Sequence, residues 1–360
     1  MDSCDIPSFP DALRKIAKAK RIPLCAQLEL TARCNFNCRM CYIHMDDKRI
    51  KELGKELTTD EWLRICREAK DAGTLYLTLT GGEIFTRPDF QELYTKLTEM
   101  GFLISLMTNA SLIDEKVMSW LGKLPPYMIR ITLYGSNNDV YNSVCRVGQG
   151  FERVDKALDL LQQANIPISL KAVLIKNNAP DIRNMYNYSF KRGLQLSVTE
   201  GINKSVRGAV SEADIVRIKP YEEELKQLGV GRYYHSTNTH GPFRHHSYYL
   251  DDCGPYGYTF QVTWDGNMTM CSFMSEPAVN LRENSVSKAW LQLMDITSHI
   301  KKPEKCNTCK YEEYCVRCPG GLAAECGSYN IVTDSYCEAA HRLYQLYTPK
   351  KEGKNNEKNV

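Results

Sequence analysis

Three cysteines, in the run Cys34-Asn-Phe-Asn-Cys38-Arg-Met-Cys41, are the residues of this chain best placed to do chemistry. Spaced C-x3-C-x2-C on one short loop, their thiolates can ligate three corners of a cubane iron–sulfur cluster and leave the fourth iron without a protein ligand. An iron left open in this way is reactive, whereas a cluster held by four cysteines mostly carries electrons. Structural zinc is the competing reading. It asks for four ligands from paired knuckles, and the loop supplies three. His44 is a candidate fourth ligand, but its position fits the C-x2-C and H-x3-H patterns of zinc sites poorly.

The elements around the loop follow one repeating pattern. Short β-rich runs at 27–31, 75–80, 103–107, 128–134, 168–175 and 195–200 alternate with helical stretches, which signals parallel βα units. Thr58-Thr-Asp-Glu61 is a capping box that opens one of these helices, with Trp62, Ile65 and Ala69 as its buried stripe. Since βαβ crossovers are nearly always right-handed, six such units imply an α/β fold, a partial (β/α)6 TIM-like barrel. The cysteine loop, the Gly81-Gly82-Glu83 turn and Thr108-Asn109 all leave C-terminal strand ends, where barrel enzymes place their chemistry. Glycines at such a turn allow close approach of the backbone to a neighbour or ligand.

Beyond the sixth strand the composition changes. Residues 203–252 are polar and carry His235, His240, His245 and His246 at irregular spacing, which reads as a linker. Cys253 and Cys271 then flank an alternating segment that turns at Asp265-Gly266, the pattern of a β-hairpin. Cys306-x2-Cys309-x5-Cys315-x2-Cys318 follows, then Cys326 and Cys337. These eight cysteines suffice for two sets of four metal ligands, and a zinc ribbon is the bland alternative. The charged, turn-rich residues 346–360 read as a disordered tail, and 1–24 as an amphipathic basic segment ahead of the barrel.

Together these motifs resemble the radical S-adenosylmethionine (SAM) enzymes with a C-terminal SPASM extension, many of which modify peptides. One departure is Met40, where the family often has an aromatic residue. The resemblance implies an open six-stranded barrel over 25–202 and an auxiliary-cluster domain over 253–345. It implies that SAM chelates the open iron of a [4Fe–4S] cluster and yields a 5′-deoxyadenosyl radical that abstracts a hydrogen atom. By the same resemblance the Gly81-Gly82-Glu83 turn contacts the methionine amino group of SAM, with Glu83 supporting the turn, Thr108 and Asn109 are presented to SAM, and Thr132 reaches its ribose or methionine end; Arg146 either meets the SAM carboxylate or is a surface arginine in a loop. Cys306, Cys309, Cys315 and Cys337 would hold an outer auxiliary [4Fe–4S] cluster, and Cys253, Cys271 and Cys318 an inner one. Cys326 is extra to the pattern and either completes the inner cluster or stands by; the x2 gap before Cys318 is another departure. Cys145 is a candidate hydrogen-atom donor, with a buried structural thiol as its alternative, and Glu200 a candidate base or substrate anchor, with a solvated loop carboxylate as its alternative. A flavodoxin or ferredoxin would supply the electron.

Composition narrows the field. The 360 residues carry a net charge of +3, too small to argue for nucleic acid or a membrane surface, and no apolar run approaches a membrane span. Fifteen cysteines without a signal-peptide pattern point to metal ligation in a cytoplasmic, anaerobic setting rather than to disulfides. Thirty-three residues precede Cys34, too few for the leader-peptide-binding domain of many peptide maturases, so the expectation is either a separate protein that reads the leader or a small substrate. Three functions stay open: a peptide maturase, the same radical chemistry on a small metabolite or on a protein Ser or Cys as in sulfatase activators, and a non-catalytic electron carrier or zinc scaffold.

Overall fold

The computed structural model describes residues 11–199, 201–218, 222–228, 250, 253, 256–315 and 318–347. Glu200, the four histidines from His235 to His246 and residues 348–360 lie outside the described residues, while 346 and 347, expected in the tail, end a helix.

Six parallel strands form in chain order: β1 Cys25–Glu29, β2 Tyr76–Thr80, β3 Leu103–Thr108, β4 Met128–Thr132, β5 Ile168–Val173 and β6 Leu196–Thr199. Each pairs with its neighbours in register, as in Gln27 opposite Thr78 and Thr132 opposite Lys171. The sheet does not close. Its order is β6-β5-β4-β3-β2-β1-β7-β8-β9, so β6 is one edge and the far side of β1 is taken by β7 Thr259–Val262. β7 runs parallel to β1 and turns into antiparallel β8 Asn267–Thr269, with β9 Val279–Asn280 outermost. The hairpin read from the sequence is therefore present, with Gly266 at φ +93° in its turn, but it extends the barrel sheet instead of standing apart from it.

The helices are α1 Asp11–Lys20, α2 Asp47–Leu53, α3 Thr59–Asp71, α4 Phe90–Glu99, α5 Glu115–Leu121, α6 Asn138–Cys145, α7 Gly150–Gln163, α8 Ile182–Lys191, α9 Ala213–Val216, α10 Glu222–Leu228, α11 Val286–Ser298, α12 Pro319–Cys326 and α13 Asp334–Tyr347. The capping box at Thr58 and Glu61 is formed, with Thr58 accepting from the Glu61 amide and Glu61 accepting in return from that of Thr58. Such a cap satisfies two amides that a helix start would leave orphaned.

The two faces of the sheet differ in kind. Leu28, Leu79, Leu106, Ile131, Leu170 and Val198 point one way and pack with Trp62 and Ile65 of α3, Leu93 of α4 and Leu158 of α7 in one buried core. Burying each such side chain contributes about 1.5–3 kcal/mol, so this face holds the fold together. On the opposite face the same strands present Gln27, Thr78, Ser105, Arg130, Lys171 and Ser197, one from each. A parallel sheet covered on both sides reads as continuous apolar runs. Alternation here marks a polar interior, the face available to ligands.

Candidate metal and cofactor site

The cysteine loop leaves β1 and is gripped from two sides. From β2, the Gly82 amide donates to the Thr31 carbonyl at 2.7 Å and the Glu83 amide to that of Arg33 at 2.8 Å. A Cβ on Gly81 would lie 2.5 Å from the Thr31 carbonyl oxygen, and one on Gly82 would strike the Arg33 backbone. Both glycines are thus needed for backbone-on-backbone contact with the loop. From the other side, the amides of Asn37 and Arg39, which flank Cys38, donate to the Cys145 and Val144 carbonyls at the end of α6, at 3.1 and 3.0 Å.

Glu83 is fully buried and ties three elements together. Its carboxylate accepts from the Thr108 hydroxyl at 2.7 Å, the Asn109 amide at 2.8 Å and the Phe85 amide at 3.2 Å. Burial raises its pKa to about 7, against the pull of these three hydrogen bonds. Asn109 in turn donates to Asn35 Oδ1 at 2.9 Å and lies 3.7 Å from Cys34 Sγ, while its own oxygen accepts from Ser111. Thr108 and Asn109, expected at SAM, are in this structure fully engaged in holding Glu83 and the cysteine loop. Thr132 sits on the polar face of β4, opposite Lys171. Arg146 ends α6 in a left-handed conformation, φ 56°, and its guanidinium is engaged by Glu212, which also meets Arg39 at 2.6 Å.

The donor set fits an iron–sulfur cluster. Cys34 Sγ accepts from the Phe36 amide and Cys41 Sγ from the His44 amide, each at 3.3 Å. Burial pushes Cys41 up to about 12 and Cys34 higher still. Thiols so desolvated become thiolates only with a cation beside them, which is what iron supplies. Among the described residues no three His, Cys, Asp or Glu side chains gather as a single metal ion would require; a cubane, with one iron per thiolate, asks for a wider spread. His44 Nδ1 is buried without a hydrogen-bond partner among the described residues. Cys145 is wholly buried, its thiol against Cys38, and Cys66 lies in the helical core, pushed up to about 12 by burial.

Sequence reasoning passed over a second polar group beside the loop. Glu29, at the end of β1, is completely buried and pairs with Arg207 at 2.6 Å and with the Gln261 amide at 3.1 Å. Arg207 also donates to the Ser272 carbonyl at 2.8 Å, next to Cys271. The Tyr42 ring meets Phe273 at 5.6 Å. Glu29 Oε1, Gln261 Oε1 and Arg207 Nε have no partner among the described residues. The signal was present in Gln27-Leu-Glu-Leu, where polar residues alternate on a strand. Within the stretch expected to link, residues 203–218 lie against the loop, with the Val206 amide on the Tyr42 carbonyl and the Glu212 amide on that of Arg39.

At the C-terminal end, Cys271 and Cys318 are near neighbours, and burial raises Cys271 to about 11. Cys318 opens α12 and accepts from the Gly321 amide at 3.3 Å, while Cys326 closes that helix beside Tyr336, which also faces Cys318. Cys253 and Cys309 are half-buried, Cys306 and Cys315 are buried, and Cys337 is exposed on α13.

The Radical SAM superfamily model matches residues 28–188. The AdoMet-dependent heme synthase of Methanosarcina barkeri is 26% identical over 340 residues, 86% of this chain and 94% of its own. The PqqA peptide cyclase of Bradyrhizobium diazoefficiens is 28% identical over 175 residues, 48% of this chain, which thus spans less than half, 45%, of that relative. In fold, the chain is similar to Streptococcus suis SuiB bound to S-adenosylmethionine, with a TM-score of 0.68 and 20% identity over 91% of this chain and 81% of SuiB. It is similar also to SuiB bound to the precursor peptide SuiA, with a TM-score of 0.66 and 20% identity over 91% of this chain and 80% of SuiB.

Proposed function

Because the chain belongs to the radical SAM superfamily through residues 28–188, we propose that it abstracts a hydrogen atom from a ribosomally made peptide, giving a cross-linked, oxidised or epimerised product. When bound, the cluster and SAM supply one-electron cleavage of the sulfonium and hydrogen-atom abstraction from an unactivated carbon. Cys34, Cys38 and Cys41 would hold the cluster. Gly81, Gly82 and Glu83 keep the β2 turn against the loop, and Thr108 and Asn109 lock that turn to β3. The polar face that includes Thr132, Arg130 and Lys171 offers hydrogen bonds to SAM and substrate.

The observation that carries the peptide reading is the junction between the Cys41 loop and the Cys271 loop. Tyr42 packs on Phe273, and Arg207 bridges Glu29 to the Ser272 carbonyl. Such a junction brings the Cys271 loop to the cysteine loop and supports a cysteine-rich end that would hold two auxiliary [4Fe–4S] clusters, to accept the electron a peptide radical must lose. Cys271 and Cys318, with Cys253, would hold the inner cluster, which Cys326 either completes or stands beside; Cys306, Cys309, Cys315 and Cys337 would hold the outer one. The PqqA peptide cyclase relative and the likeness to SuiB support a peptide substrate. A flavodoxin or ferredoxin donor completes the assignment.

Anaerobically reconstituted protein, reduced in the presence of SAM, should release 5′-deoxyadenosine, and a C34A/C38A/C41A variant should release none. Equal, negligible release from both would sink the enzymatic assignment. A second reading, a small-molecule substrate, is favoured by the alignment across 94% of the heme synthase. Stimulation of SAM cleavage by a heme precursor, and not by short peptides encoded beside this gene, would select it.

A further inference from the structure

The three loop cysteines are not solvated alike. Main-chain amides serve Cys34 and Cys41, and Cys34 also has the Asn109 side-chain amide at 3.7 Å. Cys38, besides its own amide, takes side-chain hydrogen bonds from the Cys145 thiol and the Tyr134 hydroxyl. The placement of both donors is built into the fold. The last carbonyls of α6, those of Val144 and Cys145, receive the amides of Arg39 and Asn37 on either side of Cys38, and Arg39 Nε reaches the Ser143 carbonyl at 2.7 Å. The end of α6 is therefore pinned to the loop by three hydrogen bonds, with the Cys145 side chain wholly buried at the contact. Tyr134 is wedged edge-on between Phe36 of the loop and Tyr141 of α6, with ring centroids 6.2 and 5.7 Å away.

We propose that Tyr134 and Cys145 set the reduction potential of the cluster held at the loop, by donating O–H and S–H hydrogen bonds to Cys38 Sγ. The proposal rests on the radical SAM reading above. Iron-bound Cys38 carries no proton, so the neighbouring thiol and phenol are the donors. One-electron reduction adds a negative charge that spreads onto the ligand sulfurs. Donors at a sulfur stabilise that charge and raise the potential. The electron comes from a low-potential one-electron donor, and no bond to Tyr134 or Cys145 forms or breaks. Both are positioning residues, removable one at a time without touching the backbone amides that serve the other two cysteines.

The test is an anaerobic redox titration of the reconstituted protein, following the EPR signal of the reduced cluster, with iron and sulfide measured in parallel. Y134F keeps the ring and loses only the hydroxyl, and C145A loses the thiol. Each should move the potential to more negative values at unchanged iron content, the double variant should move it further, and C145S, which keeps a donor, should lie nearer wild type than C145A. Potentials equal to wild type in Y134F and C145A would overturn the proposal. So would C145S behaving as C145A, or a loss of iron in C145A, which would make Cys145 a ligand. Failure of the wild type to bind a reducible cluster would instead defeat the family reading beneath it.

Discussion

Glu83 and Glu29 are two buried carboxylates at the ends of neighbouring strands; burial raises the pKa of both, but their partners differ. Glu83 is met only by neutral donors, and its pKa is raised from 4.5 to about 7. A raised carboxyl pKa means the folded state binds more protons than the unfolded one between these values, so stability falls as pH rises through that window. At about 1.4 kcal/mol per unit, the loss is about 3 kcal/mol. The difference in unfolding free energy between wild type and E83Q should therefore shift in favour of the variant between pH 4.5 and 8, read by urea denaturation at each pH. Glu29 instead faces the Arg207 guanidinium. Removing one partner of such a buried pair costs about 3–5 kcal/mol, because the other charge is left without compensation. R207M should lose stability on that scale, and E29Q/R207M should recover part of it; a double variant no better than R207M alone would contradict the pairing.

The critical elements are turns more than strands. Gly82 lets the β2 turn lie on the backbone that leads into the cysteine loop. G82A should cost about 1–3 kcal/mol, the usual penalty of overpacking, because rigid backbone cannot yield as a side chain does. Iron uptake at the loop should fall with it, while α3 and the rest of the helical layer persist. Circular dichroism alongside iron analysis would show this, and normal iron uptake in G82A would refute the role given to the close approach. At α6, the opposite grip on the loop comes from the exposed carbonyls of a helix end. The Glu212 pairings with Arg39 and Arg146 tie residues 201–218 to the same place.

For the whole molecule, the joining of β7 to β1 decides what the cysteine-rich end can do. It extends the barrel sheet and brings the Cys271 loop to the radical loop, instead of leaving the hairpin to hang on a linker. If all eleven candidate cysteines hold clusters, anaerobic reconstitution should give about 12 irons per chain, and C34A/C38A/C41A about 8. A content of about 4 in the wild type, lost altogether in the triple variant, would leave the C-terminal cysteines without clusters. Among the described residues no helix is long and apolar enough to cross a membrane.

Local chemistry was readable in one dimension. The C-x3-C-x2-C loop, the six βα units, the capping box and the hairpin turn depend on contacts within a few residues or on period, so their residue types announce them. The polar face was equally available in the alternation of Met-Ile-Arg-Ile-Thr and Ile-Ser-Leu-Lys, though strand reading alone did not exploit it. The sequence reading did not mark helix α6, which opens at the N-cap Asn137. What tertiary structure alone decided are the meetings of residues far apart in the chain: Cys145 with Cys38, Arg207 with Glu29, Glu83 with Thr108, β7 with β1. No local propensity encodes such pairs; they follow from burying one face of the sheet, which leaves the polar groups of the other to find each other.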